Sequence, residues 1–437
     1  MGAANERDNH SIEAPYPEGG LRAWATVLGA FLIQFCGFGY TTSFGVYQDF
    51  YVRDYLSQSS SSAISWIGSV NALLIISVGL FIGRLYDRGH FRLLLYGGCL
   101  VQSFSIFMLS LCQRQQLYQM FLAQGVGMGL GAGIVYIPSM AIVSHYFQKR
   151  RALAMSIVAS GSSLGAIVHP IMLNNTLHSR LGFGTAVRAS AGLVSGLLLL
   201  ACLLMRPRLP PTQDAPEFWK SLRRFSHDTP YVFATLGLAM FSVAFYFPIF
   251  FLQLDAVTHG IASTFSFYSL VIMNASSFVG RICPGFLAHS LGIANMATAS
   301  AGCGAVLILG MIGLSNVASL VVLAILYGFC SGLSRRWRPL VAILTDDLTE
   351  LGLRMGLFFA IEGIGGLVGP PINGALHGRD FVWWRPALFS GITGLVAFAF
   401  FLATILTVRH KNLAKSTGTT TVTEKTGEPP GTSLDSD

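Results

Sequence analysis

Twelve apolar runs dictate what this chain can become. They fall at 24–47, 63–85, 93–111, 117–141, 152–173, 182–205, 231–254, 264–288, 293–314, 317–333, 355–376 and 384–408 of 437 residues. An α-helix rises 1.5 Å per residue, so about 20 residues cross the roughly 30 Å hydrocarbon core of a bilayer. Charged residues make up only 11% of the chain, against about 25% in soluble domains. No soluble core absorbs so much uninterrupted apolar sequence, and the expected fold class is an all-α integral membrane protein with twelve transmembrane helices.

Lysine and arginine cluster in alternate loops. With the N-terminus inside, 21 of the 28 lie in cytoplasmic stretches; Arg53, Arg114, Arg180, Arg188, Arg379 and Arg385 lie towards the opposite face, and Arg281 is counted as lying within a span. That asymmetry places both termini in the cytoplasm. The net charge of +8 is thus a topology signal, not a basic patch, and implies no nucleic-acid partner. The chain divides into an irregular N-terminus (1–20), a six-helix half (21–205), a linker (206–230), a second six-helix half (231–410) and an irregular tail (411–437). In the linker Phe218, Trp219, Leu222 and Phe225 share one helical face, with Lys220, Arg223 and Arg224 opposite, the pattern of a short helix on the inner leaflet.

Enzyme chemistry finds no footing. Gly161-Ser162-Ser163-Leu164-Gly165 matches a hydrolase nucleophile elbow, but lies inside an apolar helix instead of a strand-to-helix turn. The seven cysteines show no metal-binding spacing, and no phosphate-binding Gly-x-x-x-x-Gly-Lys occurs. Neither cofactor nor metal is expected. Gly125, Gly129 and Gly133, and Gly161 and Gly165, recur every four residues, the spacing that lets helix backbones approach closely in lipid.

One loop is used twice. Gly83-Arg84-Leu85-Tyr86-Asp87-Arg88-Gly89-His90-Phe91-Arg92 separates two apolar runs, and a degraded copy, Gly285-Phe286-Leu287-Ala288-His289-Ser290-Leu291-Gly292, follows about 200 residues later. The first copy resembles the signature loop between helices 2 and 3 of the major facilitator superfamily. The resemblance implies the major facilitator fold, two six-helix halves with a cargo site between them near mid-membrane, worked by alternating access. It also implies a conformational latch at Gly83, Asp87, Arg88 and Arg92. Pro17-Glu18-Gly19-Gly20-Leu21-Arg22-Ala23-Trp24, Tyr146-Phe147-Gln148-Lys149-Arg150-Arg151-Ala152-Leu153-Ala154 and Arg354-Met355-Gly356 with Gly369-Pro370-Pro371-Ile372 are similar to the monocarboxylate porter branch, especially its fungal members. Two positions depart from the proton-coupled lactate carriers of that branch: Thr42 stands where they have lysine, and Ser277 where they have aspartate.

An ionisable residue inside a span is by default a functional candidate. Arg281 and Glu362 lie at a shared depth, roughly 10–12 Å from the inner face at 1.5 Å per residue; they are read either as a carboxylate receptor and its partner, with proton uptake at Glu362 a further role, or as a structural pair or a Glu362 that faces the aqueous cavity alone. Asn71, Gln102 and Asn274 are polar span residues, His169 is read as a solvated helix-end group, and by analogy with the cavity-lining helices of the family Gln34, Gln124, Tyr136, Tyr246 and Gln253 are candidate cargo contacts. The expected function is secondary active transport of a small organic acid or carboxylate-bearing, anionic metabolite across the plasma membrane. Two alternatives stand beside it: an efflux permease for a fungal secondary metabolite, and a non-transporting membrane sensor. The sensor reading draws on Ser334-Arg335-Arg336-Trp337-Arg338-Pro339, whose three arginines force the tenth helix to end near Leu333.

Overall fold

The computed structural model describes residues 18–148, 150–177, 182–208, 218–282, 293–334, 351–378 and 380–425. All of the regular structure there is helical. The first half comprises α1 (Leu21–Tyr55), α2 (Ser61–Gly83), α3 (Phe91–Leu109), α4 (Leu117–His145), α5 (Arg151–Leu177) and α6 (Gly182–Leu204). A linker helix (Phe218–Ser226) leads to α7 (Thr229–Thr258), α8 (Ser263–Ile282), α9 (Ile293–Gly310), α10 (Val317–Ser334), α11 (Leu351–His377) and α12 (Trp384–Lys425). Eleven of these are long and apolar enough to cross a membrane. The remaining one, α8, has 20 residues and is diluted by serines, Asn274 and Arg281, which its neighbours absorb.

The halves repeat one packing order. In the first, α1 lies on α5 and α6, α2 on α4, and α3 on α4 and α6; in the second, α7 lies on α11 and α12, α8 on α10, and α9 on α10 and α12. Glycine makes the same contacts in both. A Cβ at Gly161 or Gly165 would stand 2.3 or 2.4 Å from the carbonyl oxygens of Phe31 and Phe35, and one at Gly133 would stand 2.5 Å from that of Leu74. Gly328 and Gly332 on α10 and Gly365 and Gly369 on α11 are equally tight, at 2.2 to 2.3 Å from carbonyl oxygens of α8 and α7. With no hydrophobic force between helices in lipid, this backbone proximity supplies the dispersion contact that holds the bundle together.

Two sequence motifs prove to be one structure. Glu18 accepts hydrogen bonds from the backbone N–H groups of Gln148 (2.8 Å) and Arg150 (3.0 Å), and its own N–H donates to the Tyr146 carbonyl. These donors precede α5, where a carboxylate is favoured by the helix dipole. The chain then turns into α1 through Gly20 at φ 88°, a conformation that costs glycine little. Trp24 packs edge-on against Phe147 at 5.2 Å, and Tyr146 Oη donates to the Arg206 carbonyl at 2.8 Å. The start of α1, the α4–α5 turn and the end of α6 are thereby tied together.

Several helices outrun their apolar sequence. The first span, expected at 24–47, continues as helix to Tyr55, and the seventh, expected to stop at 254, continues to Thr258. Their extra turns carry Asp49 and Asp255, each with a completely buried side chain, and each has a basic partner four residues on: Arg53 and His259. An i,i+4 pair supplies its own compensation, so a carboxylate no longer ends the helix. The helix of α12 also runs to Lys425, past the expected start of an irregular tail at 411, with no proline between Pro386 in its first turn and Pro429.

The linker helix packs its Phe225 face against the second half. Phe225 is buried, with the Arg354 guanidinium 4.7 Å above its ring and 5.2 Å from that of Tyr231. Arg354 also pairs with Asp228 at 3.1 Å, so an arginine expected in a cytoplasmic stretch anchors the linker to α11. The degraded second loop at 285–292 and the stretch Arg335–Arg338 lie outside the described residues.

Two measurements check these contacts. Gly328→Val must push Cβ into the Met273 carbonyl, and overpacking of this kind costs about 1–3 kcal/mol, lowering Tm by several degrees; Gly192→Ala, with open space around it, does not lower Tm and is expected to raise it slightly. The Asp255 carboxylate raises the pKa of His259 above its ordinary 6.5. A raised pKa stabilises below the unfolded value and is lost as pH rises through the folded one, so His259→Gln lowers Tm at pH 5.5 and has no effect at pH 9.

Candidate functional site

The two halves meet along paired helices, α2 on α11 and α5 on α8, with α1 against α7. The face where α1 begins is called the near face and the other the far face. Candidate residues sort by where they stand on this seam.

Between the ends of the seam stand an aromatic cluster and Arg281 of α8. Phe38 of α1, Ile75 and Ile76 of α2 and Ala132 of α4 form a buried cluster with Tyr136 and, from the opposite half, Phe359 of α11 packed on it. The Phe38 and Tyr136 rings lie 5.1 Å apart and tilted, a favourable arrangement for a cluster that also presents ring faces to a guest. Tyr246 of α7 contributes a further ring, 5.5 Å from Phe250, and a Cβ at Gly366 of α11 would stand 2.9 Å from it.

Arg281 crosses the halves. Its Nη1 donates to Ser162 Oγ at 2.8 Å and to the Ala159 carbonyl at 3.4 Å, both on α5. Charge-assisted bonds of this kind contribute about 1.5–3 kcal/mol each. Ser162, next to the Ser163 of the apparent nucleophile elbow, therefore serves as an acceptor for Arg281. Glu362 is buried on α11, the helix that packs on α2 and α7. Guanidinium, carboxylate, hydroxyl and aromatic faces on one seam suit a guest that combines an acidic group with apolar or aromatic surface.

Other candidates are engaged within one half. Gln34 Nε2 donates to Ser139 Oγ at 3.2 Å, joining α1 to α4. Gln124 Oε1 accepts from Tyr51 Oη at 2.8 Å, while its carbonyl accepts from Asn71 at 2.7 Å. The Gln102 amide donates to the Cys36 carbonyl at 2.9 Å. Thr42 and Asn274 turn back onto their own helices, to Phe38 and Gly39 and to Leu270, so the lysine position of the lactate carriers holds an uncharged hydroxyl bonded to its own backbone. His169 is fully buried against the Phe35 carbonyl and the Tyr40 ring. The expectation of a solvated helix-end group is thus corrected: α5 leans on α1 over its whole length, through the Gly161 and Gly165 contacts.

The latch residues lie at the near face. Gly83 ends α2 as a membrane span, and Arg88 and Arg92 are exposed; the side chain of Asp87 lies outside the described residues.

Sequence reasoning missed what stands at the far face. Gln253 reaches across the seam to Asp49, its Nε2 donating to Oδ2 at 3.0 Å. His377 Nε2 meets Ser61 Oγ at 2.8 Å, and Ser62 Oγ donates to the Pro371 carbonyl at 2.8 Å. The Asp49 to Arg53 spacing was readable as a helical pair; the cross-half partners are more than 200 residues away and carry no local signal.

Removing the guanidinium by Arg281→Ala is expected to cut transport at least tenfold and, by deleting the bonds to α5, to lower Tm by a few degrees. Ser162→Ala, which deletes one of the two acceptors on α5, is expected to cut it less than threefold. Initial rates in proteoliposomes check both.

A model of the Major Facilitator Superfamily matches residues 26–350. The chain is 40% identical over 389 residues to the aspyridones efflux protein apdF of Emericella nidulans, covering 88% of this chain and 78% of that protein. It is 36% identical over 396 residues to the agnestins efflux protein AgnL12 of Paecilomyces divaricatus, covering 90% of each, and 34% identical over 413 residues to the fujikurins efflux protein of Gibberella fujikuroi, covering 92% and 86%. Among solved structures, a point-mutant form of the nucleoside transporter NupG superposes with a TM-score of 0.71 at 14% identity, covering 88% of this chain and all of that one, a likeness of fold. From span pattern, paired halves and these matches together, this chain belongs to the Major Facilitator Superfamily and is a multi-pass membrane transporter.

Proposed function

We propose that the chain is an efflux permease that carries a small, weakly acidic metabolite with aromatic or extended apolar surface, by alternating access between its two halves. The observation that carries this reading is the mid-membrane seam, where Phe38, Tyr136 and Phe359 offer ring surface and Arg281 offers a single guanidinium. Short monocarboxylates have no use for the rings. The named efflux proteins among the relatives, matched over most of their length, support the outward direction and a secondary metabolite as cargo.

In this reading Arg281 exchanges its Ser162 bond for the acidic group of the cargo, and Glu362 takes up a proton as the cargo leaves. Tyr136, Tyr246 and the Gln34 amide border the path; the bonds already made by Gln124, Thr42 and Asn274 give them a packing role instead. The basic bias of the near-face loops supports a plasma-membrane orientation with both termini in the cytoplasm, and the near-face loop with Asp87, Arg88 and Arg92 closes that side during the cycle.

Counterflow in proteoliposomes tests the proposal. Liposomes preloaded with unlabelled acids are expected to accumulate a labelled bicyclic or longer aromatic acid at least tenfold faster than lactate or pyruvate, and Arg281→Ala abolishes the difference. Equal or faster exchange of the short acids overturns the efflux reading in favour of a monocarboxylate porter.

A further inference from the structure

The far face is shut by contacts between the halves. The Phe44 and Phe250 rings lie 4.9 Å apart, and a Cβ at Gly45 of α1 would stand 2.5 Å from the Ile249 carbonyl of α7. One at Gly374 of α11 would stand 2.8 Å from the Ser62 backbone nitrogen of α2. Across this closure only one described hydrogen bond joins a charged side chain of one half to the other, that from Gln253 to Asp49.

Its chemistry is that of a releasable bond. Asp49 is completely buried, but its charge is already met within α1 by Arg53, whose Nε and Nη2 lie 2.6 and 2.5 Å from the two carboxylate oxygens. Separating the halves therefore leaves no uncompensated charge; a cross-half salt bridge would, at far greater cost. The amide assignment follows from the partner, since a flipped Gln253 would aim its oxygen at a carboxylate. Closure also carries a counterweight. Gln253 Oε1 and Gln48 Oε1 are both buried without a donor, and water entering an opened far face would satisfy both. The closed state thus holds one strong bond against two unsatisfied acceptors.

We propose that Asp49 and Gln253 are positioning residues of the transport cycle: a clasp that sets the balance between far-face-closed and far-face-open states. Neither residue needs to touch cargo. The clasp stands on the closure geometry, independently of which cargo the chain carries.

Spin labels at Gln58→Cys, beyond α1, and Thr264→Cys, at the start of α8, report the far-face opening by pulsed dipolar spectroscopy. The sample is the full chain with native cysteines replaced, in lipid nanodiscs. Gln253→Glu places two carboxylates together and is expected to raise the long-to-short distance ratio at least tenfold. Gln253→Leu, which removes the donor at similar size, raises it about threefold. Adding Asp49→Asn to Gln253→Glu restores an amide-to-carboxylate bond across the seam and returns the distribution towards the parent. Distributions unchanged in both single variants, or opening that Asp49→Asn fails to reverse, overturn the clasp. Where Gln253→Glu fails to fold, Gln253→Leu alone decides, its unchanged distribution refuting the proposal. Loss of transport with unchanged distances would likewise assign Gln253 to cargo contact and refute the clasp.

Discussion

Everything in this molecule depends on helices touching backbone to backbone in a medium that does nothing to push them together. Lipid chains are as apolar as leucine, so a bundle is held by packing and by polar bonds between helices. Carbonyl oxygens of α1, α2, α7 and α8 lie where a methyl group on the facing glycine would collide. Polar bonds then act as register pins on that smooth packing. Gln34 to Ser139, Asn71 to Gln124 and Gln102 to Cys36 fix how α1, α2, α3 and α4 meet. Bonds of the same kind cross the seam at Arg281, Gln253, His377 and Ser62.

The seam differs along its depth. Its far end is a mixture of rings, small residues and neutral hydrogen bonds, with one ionic acceptor. Its middle carries the aromatic cluster and the Arg281 bond to α5. Under the proposed function, a guanidinium bonded to the opposite half would couple occupancy to conformation, because a cargo anion that claimed Arg281 would also remove a bond between the halves. Binding energy and domain release then draw on the same atoms, which is how a ligand shifts a two-state equilibrium: through its difference in affinity for the two states.

Much of the fold was legible because bilayer thickness imposes a length on apolar runs, and four-residue glycine spacing imposes a packing face. The ends of α1 and α7 were not, since Asp49 and Asp255 look like loop residues until their i+4 partners are counted as part of the helix. Arg281 stood out as an arginine well inside a span, yet its acceptor lies 119 residues away on the other half, and no local pattern encodes such a meeting. His169 misled for a related reason. Its position before Pro170 suggested a helix end, whereas α5 continues through the proline and the ring is enclosed by α1.

The Glu18 contact has a bearing on biosynthesis. The first helix leaves the ribosome some 130 residues before the amides that hold its entry. Until the α4–α5 turn has been made, nothing in the described contacts of Glu18 sets the depth or tilt at which α1 sits. The opening segment must therefore wait in the bilayer as a provisional insertion, its final pose fixed retroactively by sequence translated four helices later. A change at Gln148 or Arg150 that disturbs the turn would be felt as mis-seating of the first span, long after that span had entered the membrane.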